Sequence, residues 1–268
     1  MTTRLSHSPS FATAEKNFTG NHPVKVIVSA LLFSLVAFYG YADEPTRKQP
    51  LRIAVDIGHT ASSPGAISSR GRGEFLFNQE LGEVIKKYLI TNGYKKSFTI
   101  VNPGSLQDRV RIARQRRADL LLSIHHDSVQ QYYLHKWTHD GIIERYCDRF
   151  RGYSLLVSTK NKYYSKSLKL ATLIGLNLIK NGFDPTLHHA EKISGENHEL
   201  INAELGIYKY DDIVVLKTAS MPAVILEAGI IIHREEEMFM RKTETMERIS
   251  QAVVESINTY AGDPLRLK

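Results

Sequence analysis

The chain has 268 residues, of which 42% are hydrophobic and 24% charged, and its formal net charge is +7. This is the composition of an ordinary globular protein whose length allows a sizeable hydrophobic core, so we expect one folded domain. The only cysteine, Cys147, excludes an internal disulfide bond and a cysteine-rich structural zinc site. We expect Cys147 to be structural rather than nucleophilic.

The N-terminal region has the features of a secretory signal peptide. An apolar run over residues 26–38 follows a basic segment, and Gly40 and Ala42 place small residues at the −3 and −1 positions of a cleavage site. We therefore expect residues 1–42 to be removed on export, which would make the mature protein periplasmic or secreted. The alternative is an uncleaved membrane anchor, which needs about 20 apolar residues, slightly more than this run provides.

The rest of the chain reads as a linker over residues 43–50, a domain over 51–262 and a C-terminal tail over 263–268. Within the domain, short apolar runs alternate with amphipathic segments. We predict strands over 52–58, 98–101, 119–125, 153–158 and 223–229, and helices over 74–92, 105–117, 167–180 and 245–260. This alternation predicts an α/β fold with a mixed, mostly parallel sheet and helices on both of its faces.

Three predicted strands end in a side chain that can bind a metal or carry a proton. His59 follows the first strand directly after Gly58, His125 ends the third, and Glu227 lies near the end of the last. Ligands of α/β sheets bind beyond the carboxyl ends of the strands, so we expect these three residues to be neighbours. Because side chains alternate along a strand, only one of His125 and His126 can face the site. We choose His125 as the ligand and expect His126 to pack or to meet solvent.

A fourth candidate, Glu74, opens the first long helix after a glycine-rich loop. It also has an ordinary interpretation, because an acid at a helix N-terminus is favourable by about 0.3–1 kcal/mol. His59, taken alone, is equally compatible with a solvated loop. Glu227 is different, since it interrupts the apolar run AVILEAGIII, where a carboxylate needs a cation, hydrogen bonds or a raised pKa. We expect Asp127 to orient one of the histidines.

Two histidines and one glutamate form a ligand set that suits catalytic zinc, which keeps a fourth position for water. A further carboxylate nearby can accept the proton of that water. The set therefore predicts hydrolysis of an unreactive bond such as an amide.

Four segments spread over about residues 52–260 carry a family resemblance. They are VDIGHTASSPGA, GEFLFNQEL, SLQDRVRIARQRRADLLLSIHHDS and LKTASMPAVILEAGI. Together they resemble the zinc-dependent N-acetylmuramoyl-L-alanine amidases of the third amidase family. The chain departs from the family pattern at Thr60, which follows the first histidine in place of glycine, at His126, and at IIIHREEE after the last strand. None of these departures removes a proposed ligand.

The resemblance implies that His59, Glu74 and His125 bind Zn²⁺ and that Glu227 is the catalytic carboxylate. It implies a phosphorylase/hydrolase-like fold. The implied reaction is hydrolysis of the amide bond between N-acetylmuramic acid and the L-alanine of the stem peptide in peptidoglycan, in cell-wall remodelling or cell separation. Two alternatives stay open: a zinc peptidase that acts within the stem peptide, and a non-catalytic wall-binding or regulatory protein on the same fold.

The polar segment 184–212 is long for a connection, and we expect it at the rim of the cleft. His188 and His189 within it are expected to be solvated or to contact substrate rather than to bind a metal. The resemblance also implies a regulatory hypothesis, in which such a segment covers the zinc until a protein activator moves it. The basic run 108–117 is expected to be a solvated helix face, with attraction to an anionic wall polymer as the alternative. We expect a monomer that does not bind nucleic acid.

Overall fold

The computed structural model describes residues 50–262. Its strands are β1 (Ile53–Ile57), β2 (Phe98–Ile100), β3 (Leu120–Asp127), β4 (His135–His139), β5 (Ile142–Tyr146), β6 (Ser154–Val157), β7 (Leu200–Asn202), β8 (Ile207–Lys209) and β9 (Ala223–Ile230). Its α-helices are α1 (Glu74–Thr91), α2 (Leu106–Gln115), α3 (Tyr164–Lys180), α4 (Val214–Thr218), α5 (Arg234–Met240) and α6 (Thr243–Gly262). The predicted signal peptide, the C-terminal tail and all of the linker except Pro50 lie outside the described residues.

One sheet organises the described residues, with strand order β2-β1-β3-β9-β6-β8-β7. Neighbouring strands are parallel except where β6 meets β9 and β7 meets β8. The predicted mixed, mostly parallel sheet is therefore confirmed. Because β1, β3 and β9 run in the same direction side by side, their carboxyl ends meet at one edge of the sheet.

Helices cover both faces of this sheet, as predicted. Alternate residues of β9 show the arrangement: Leu226 belongs to the core under α1, α3 and α6, whereas Ile225 belongs to the core under α2 and α4. Both sets are apolar because both faces are buried, which explains why the central strands read as continuous apolar runs. His125 and Glu227 have the same parity as Ile225 and point to the α2 side, and His126 points to the α1 side.

The second helix begins with a side-chain cap, whereas the first has none. Ser105 caps α2, since its side chain accepts a hydrogen bond from the backbone N–H of Asp108 at 3.1 Å. Helix α1 begins at Glu74 without a side-chain cap and packs tightly on β1. A Cβ on Gly82 would lie 2.1 Å from Cδ1 of Ile57, so any larger residue there would require the Ile57 side chain to move.

The structure adds elements that the sequence patterns did not predict. These are the β4–β5 hairpin, β7, β8, α4 and α5. Several boundaries also differ by a few residues; for example, α3 begins at Tyr164 rather than at 167, and α2 ends at Gln115 rather than at 117. Residues 184–212, which we expect at the rim of the cleft, contain β7 and β8, and these strands extend the main sheet.

Across residues 50–262, the helices are all too short or too polar to cross a membrane.

Candidate functional site

His59 lies immediately beyond β1, where the chain turns sharply over the sheet edge. Its φ of 62° is in the left-handed region, and a Cβ on the preceding Gly58 would lie only 2.4 Å from the His125 ring. Arg109 of α2 fixes this turn: its guanidinium donates to the carbonyl oxygen of His59 at 2.6 Å and to Asp56 at 2.7 Å. The turn therefore brings the His59 ring towards the neighbouring strand.

Glu74, at the start of α1, connects the two histidines. Its Oε2 atom lies 2.9 Å from Nε2 of His59, and its Oε1 atom lies 3.0 Å from Nδ1 of His125. Asn78, one turn along the helix, donates to Oε1 at 3.0 Å, and the backbone N–H of Ala66 donates to Oε2 at 3.0 Å. Burial raises the pKa of Glu74, but the hydrogen bonds with the two histidines outweigh it and hold the pKa well below its ordinary value.

His59, Glu74 and His125 each offer one ligand atom, and these atoms lie within 4.8 Å of one another. We call these three residues the edge cluster. Two imidazoles and one carboxylate that is only 4% exposed are a donor set that fits a zinc ion. The remaining hydrogen bonds of the carboxylate fix its orientation, as expected for a ligand.

Glu227 is the register partner of His125 across the parallel pair β3–β9. Its Oε2 atom is enclosed and has no hydrogen-bond partner among residues 50–262. Burial raises the pKa of Glu227 well above its ordinary value, and the charges of Asp127 and Glu74 add to this effect. A carboxylate of this kind is suited to accept and return a proton.

The cleft beside these residues has a volume of about 840 Å³. Its lining includes His59, His125 and Glu227, and it continues along polar loops that contain Ser62 and Asn102. Among the described residues, none of 184–212 belongs to this lining. The hypothesis that this segment covers the metal therefore receives no support from the structure.

Two neighbouring side chains, His126 and Arg109, can be compared with their predicted environments. His126 is buried, and its Nδ1 atom lies 2.8 Å from Oδ1 of Asn78, so it packs as expected and does not meet solvent. Burial lowers its pKa to about 4. Arg109 is only 4% exposed, so the interpretation of the basic run as a wholly solvated face is wrong at this position. The sequence signal for Arg109 was available, since the buried Asp56 requires a cation.

His188 and His189 were expected to be solvated or to contact substrate, and the structure contradicts the first of these alternatives. They are only 3% and 7% exposed. The histidines that Asp127 faces are His188 and His189, whose Nε2 atoms lie 3.3 and 2.8 Å from its Oδ2 atom. Cys147 is buried and unpaired, as expected.

Comparison with known proteins gives consistent results. A family model described as N-acetylmuramoyl-L-alanine amidase matches residues 53–259. The N-acetylmuramoyl-L-alanine amidase AmiA of Escherichia coli K12 is 26% identical over 223 residues, which cover 78% of this chain and 75% of that protein.

Solved structures show the same fold. The amidase Ami1 of Mycobacterium smegmatis has a TM-score of 0.60 at 18% identity, covering 79% of this chain and 97% of that one. The CwlD amidase of Clostridioides difficile, solved in complex with the GerS lipoprotein, has a TM-score of 0.53 at 17% identity, covering 79% of this chain and 98% of that one. With the family model matching most of its length, this chain belongs to the N-acetylmuramoyl-L-alanine amidase family.

Proposed function

We propose that this chain hydrolyses the amide bond between N-acetylmuramic acid and the stem-peptide L-alanine of peptidoglycan, with Zn²⁺ held by His59, Glu74 and His125 and with Glu227 as the proton carrier. The observation that carries the proposal is that His59 and His125 of the edge cluster line one open cleft together with the carboxylate of Glu227. Family membership supplies the activity and the substrate class.

When bound, zinc supplies a Lewis acid that polarises a carbonyl and makes water a stronger nucleophile. The residues of this chain do the rest. Glu227, whose carboxylate lines the cleft, accepts the proton of the attacking water and passes it to the leaving alanine nitrogen. Arg109 holds the backbone of His59, so the imidazole keeps its position while the substrate binds and leaves.

The decisive experiment is hydrolysis of purified sacculi before and after chelation. Chelator should abolish the release of stem peptides and added zinc should restore it, because the edge cluster without a cation offers nothing to polarise the carbonyl. Mass spectrometry identifies the bond that is cut: released peptides that begin with a free L-alanine amine support the amidase. Cleavage within the stem would support the peptidase alternative, and release that is unaffected by chelator would refute a metal-dependent mechanism.

A non-catalytic wall-binding protein is separated from the amidase by Glu227→Ala. A binder would retain its affinity for sacculi and would have no hydrolysis to lose, whereas the amidase would lose hydrolysis while it retains zinc.

We also propose that the protein acts outside the cytoplasm, in cell-wall remodelling or cell separation. The signal-like pattern of residues 1–42 supports this location. N-terminal sequencing of the exported protein should find Asp43 as the first residue, and retention of the apolar run would refute cleavage. An accessory activator is a further prediction, in line with the complex in which CwlD was solved.

A further inference from the structure

A second group of metal-ligand side chains lies outside the edge cluster. Asp127 at the end of β3 meets His188 and His189, which lie on a one-turn 3-10 helix over His188–Ala190. We call these three residues the Asp127 cluster. We propose that it is a second metal site, which binds a divalent transition cation of the zinc class independently of the edge cluster.

The ligand atoms of the Asp127 cluster converge without hydrogen bonding. Nε2 of His189 lies 2.8 Å from Oδ2 of Asp127, and Nε2 of His188 lies 3.3 Å from the same oxygen. All three atoms are enclosed, and none of them has a hydrogen-bond partner of acceptable geometry among residues 50–262. Buried polar atoms almost always have a hydrogen-bond partner in folded proteins. Three atoms that lack one and face one another therefore need a common partner.

The opposite nitrogen of each ring is already engaged. Nδ1 of His189 lies 2.8 Å from Oε2 of Glu196, and Nδ1 of His188 lies 3.1 Å from the hydroxyl oxygen of Thr186. If each Nδ1–H donates to that oxygen, the Nε2 atom is left with a lone pair and no proton. Metal-binding histidines commonly have this arrangement, in which an outer oxygen fixes the tautomer and the orientation of the ring.

The chemistry of the Asp127 cluster matches that of the edge cluster. Both consist of two imidazoles and one carboxylate, and the nitrogen–oxygen separations of 2.9 and 3.0 Å in the edge cluster are close to those around Asp127. Nitrogen donors with one carboxylate favour zinc over magnesium or calcium, which prefer oxygen ligands throughout.

A proton is the competing partner. Burial lowers the pKa of His189, but the charge of Asp127 and hydrogen bonds with Asp127 and Glu196 raise it to about 10 when no cation is present. An imidazolium paired with Asp127 would leave His188 facing the same oxygen without a partner. A cation satisfies all three atoms at once.

The site would join two distant parts of the chain. Asp127 ends a central strand two residues beyond His125, whereas the histidines belong to the segment that leads into β7 and β8. A bound cation would therefore fix this segment beside the edge cluster without entering the reaction.

Zinc stoichiometry of the full-length protein tests the proposal. The metal-free protein is saturated with Zn²⁺ alone, dialysed and analysed by mass spectrometry for zinc per chain. Wild type should retain two equivalents, and both His188→Gln/His189→Gln and His59→Gln/His125→Gln should retain one. His139→Gln, on the β4–β5 hairpin, is the matched control and should retain two.

The two variants keep the two metal proposals separate. One equivalent in wild type, with none left after His59→Gln/His125→Gln, would overturn the second site and leave the proposed function intact. One equivalent in wild type that is lost only in the His188→Gln/His189→Gln protein would support the second site and overturn zinc binding by the edge cluster.

Glu196→Gln provides a milder variant in case the double substitution does not fold. The side-chain amide that it introduces can still accept from Nδ1 of His189 but carries no charge, so zinc affinity at the second site should fall about 10- to 100-fold while the first site is unchanged. Detection of an Nε2–H proton on His189 by NMR in the zinc-saturated protein would also overturn the proposal.

Discussion

Glu227 has an environment that almost any other acid in the chain would avoid. It lies in an apolar strand, its Oε2 atom has no partner among residues 50–262, and burial raises its pKa. Such a position costs free energy of folding whatever the carboxylate does, and a cost of this kind is typically tolerated at functional sites. Its apolar sequence context therefore carried real information about its role.

We predict that Glu227→Gln lowers kcat for stem-peptide release by a factor on the order of 10²–10⁴, because the amide cannot accept the proton of the attacking water. Zinc content should be unchanged, since Glu227 is not in the edge cluster. Release assays on sacculi, paired with zinc analysis, check both statements. Glu235→Gln, at an exposed position on α5, is the control, and a loss below tenfold at position 227 would contradict the role.

Arg109 links the turn at His59 to the core. Its guanidinium lies 2.7 Å from the fully buried Asp56, which also accepts a hydrogen bond from Ser123 at 2.6 Å. Removal of one partner from a buried ion pair leaves the other charge uncompensated. The side chain also holds the carbonyl oxygen of His59.

Arg109→Met should therefore lower the free energy of unfolding by about 3–5 kcal/mol, as measured by urea denaturation. Arg111→Met is the matched control on the same helix, since its side chain is 50% exposed and pairs with Asp108 at the surface. That pair should contribute less than about 1 kcal/mol. Equal losses in the two variants would show that Asp56 does not depend on Arg109.

At the scale of elements, the β4–β5 hairpin is attached to the domain by stacking and charge. Arg234 of α5 lies 3.9 Å from the ring centroid of Tyr146 and 5.2 Å from that of Trp137. Its Nε atom also donates to Oδ2 of Asp148 at 2.9 Å. Hydrogen bonding by Arg234 lowers the pKa of Asp148 below its ordinary value.

The lowered pKa of Asp148 determines how the free energy of unfolding depends on pH. The stabilisation by Asp148 is fully present above the unfolded-state pKa of about 3.8 and is lost as the pH falls through the lower folded-state pKa. Asp148→Asn should thus cost up to about 1 kcal/mol at neutral pH, less in high salt, and almost nothing in strong acid. Urea unfolding at several pH values and salt concentrations checks this. Asp140→Asn, at the exposed hairpin turn, is the control, and a cost that does not change with pH would contradict the ion pair.

The elements that could be predicted from the sequence differ from the others in length and in apolar periodicity. The central strands and the long helices were predicted because each buries a periodic apolar face. Strands β7 and β8 have only three residues each, too few to show a period, and the hairpin strand HKWTH is polar. Strands β7 and β8 depend on tertiary contacts that leave no local pattern. The hairpin, in contrast, had a sequence signal that was missed, because Asp140 and Gly141, both with positive φ, form the two-residue turn that joins its strands.

The same distinction applies to the site. His59, His125 and Glu227 could be predicted because parallel strands deliver their ends to one edge of a sheet. The burial of His188 and His189 could not, because it depends on where a polar segment returns to Asp127 after a long stretch of intervening chain. Glu74 needed the family resemblance, since an acid at a helix start is ordinary.

For the whole molecule, metal binding should couple to global stability, because the ligands come from β1, α1 and β3. At zinc concentrations about 1,000-fold above Kd, each occupied site should add about 4 kcal/mol to the free energy of unfolding. For a domain of this size that corresponds to a rise in Tm of roughly 8–16 °C. Calorimetry of the chelated and the zinc-saturated protein measures the shift, and magnesium at the same concentration is the control. Identical Tm values would contradict structural coupling.

His125 and Glu227 sit opposite each other on adjacent strands, so the distance between a ligand and the proton carrier is set by the hydrogen bonds of the backbone, about 4.8 Å from strand to strand. Insertion of one residue early in β9 would turn the acid through the sheet and place it among the apolar side chains beneath α1 and α6. Evolution can therefore lengthen the surrounding loops freely, but it must preserve the number of residues along these two strands.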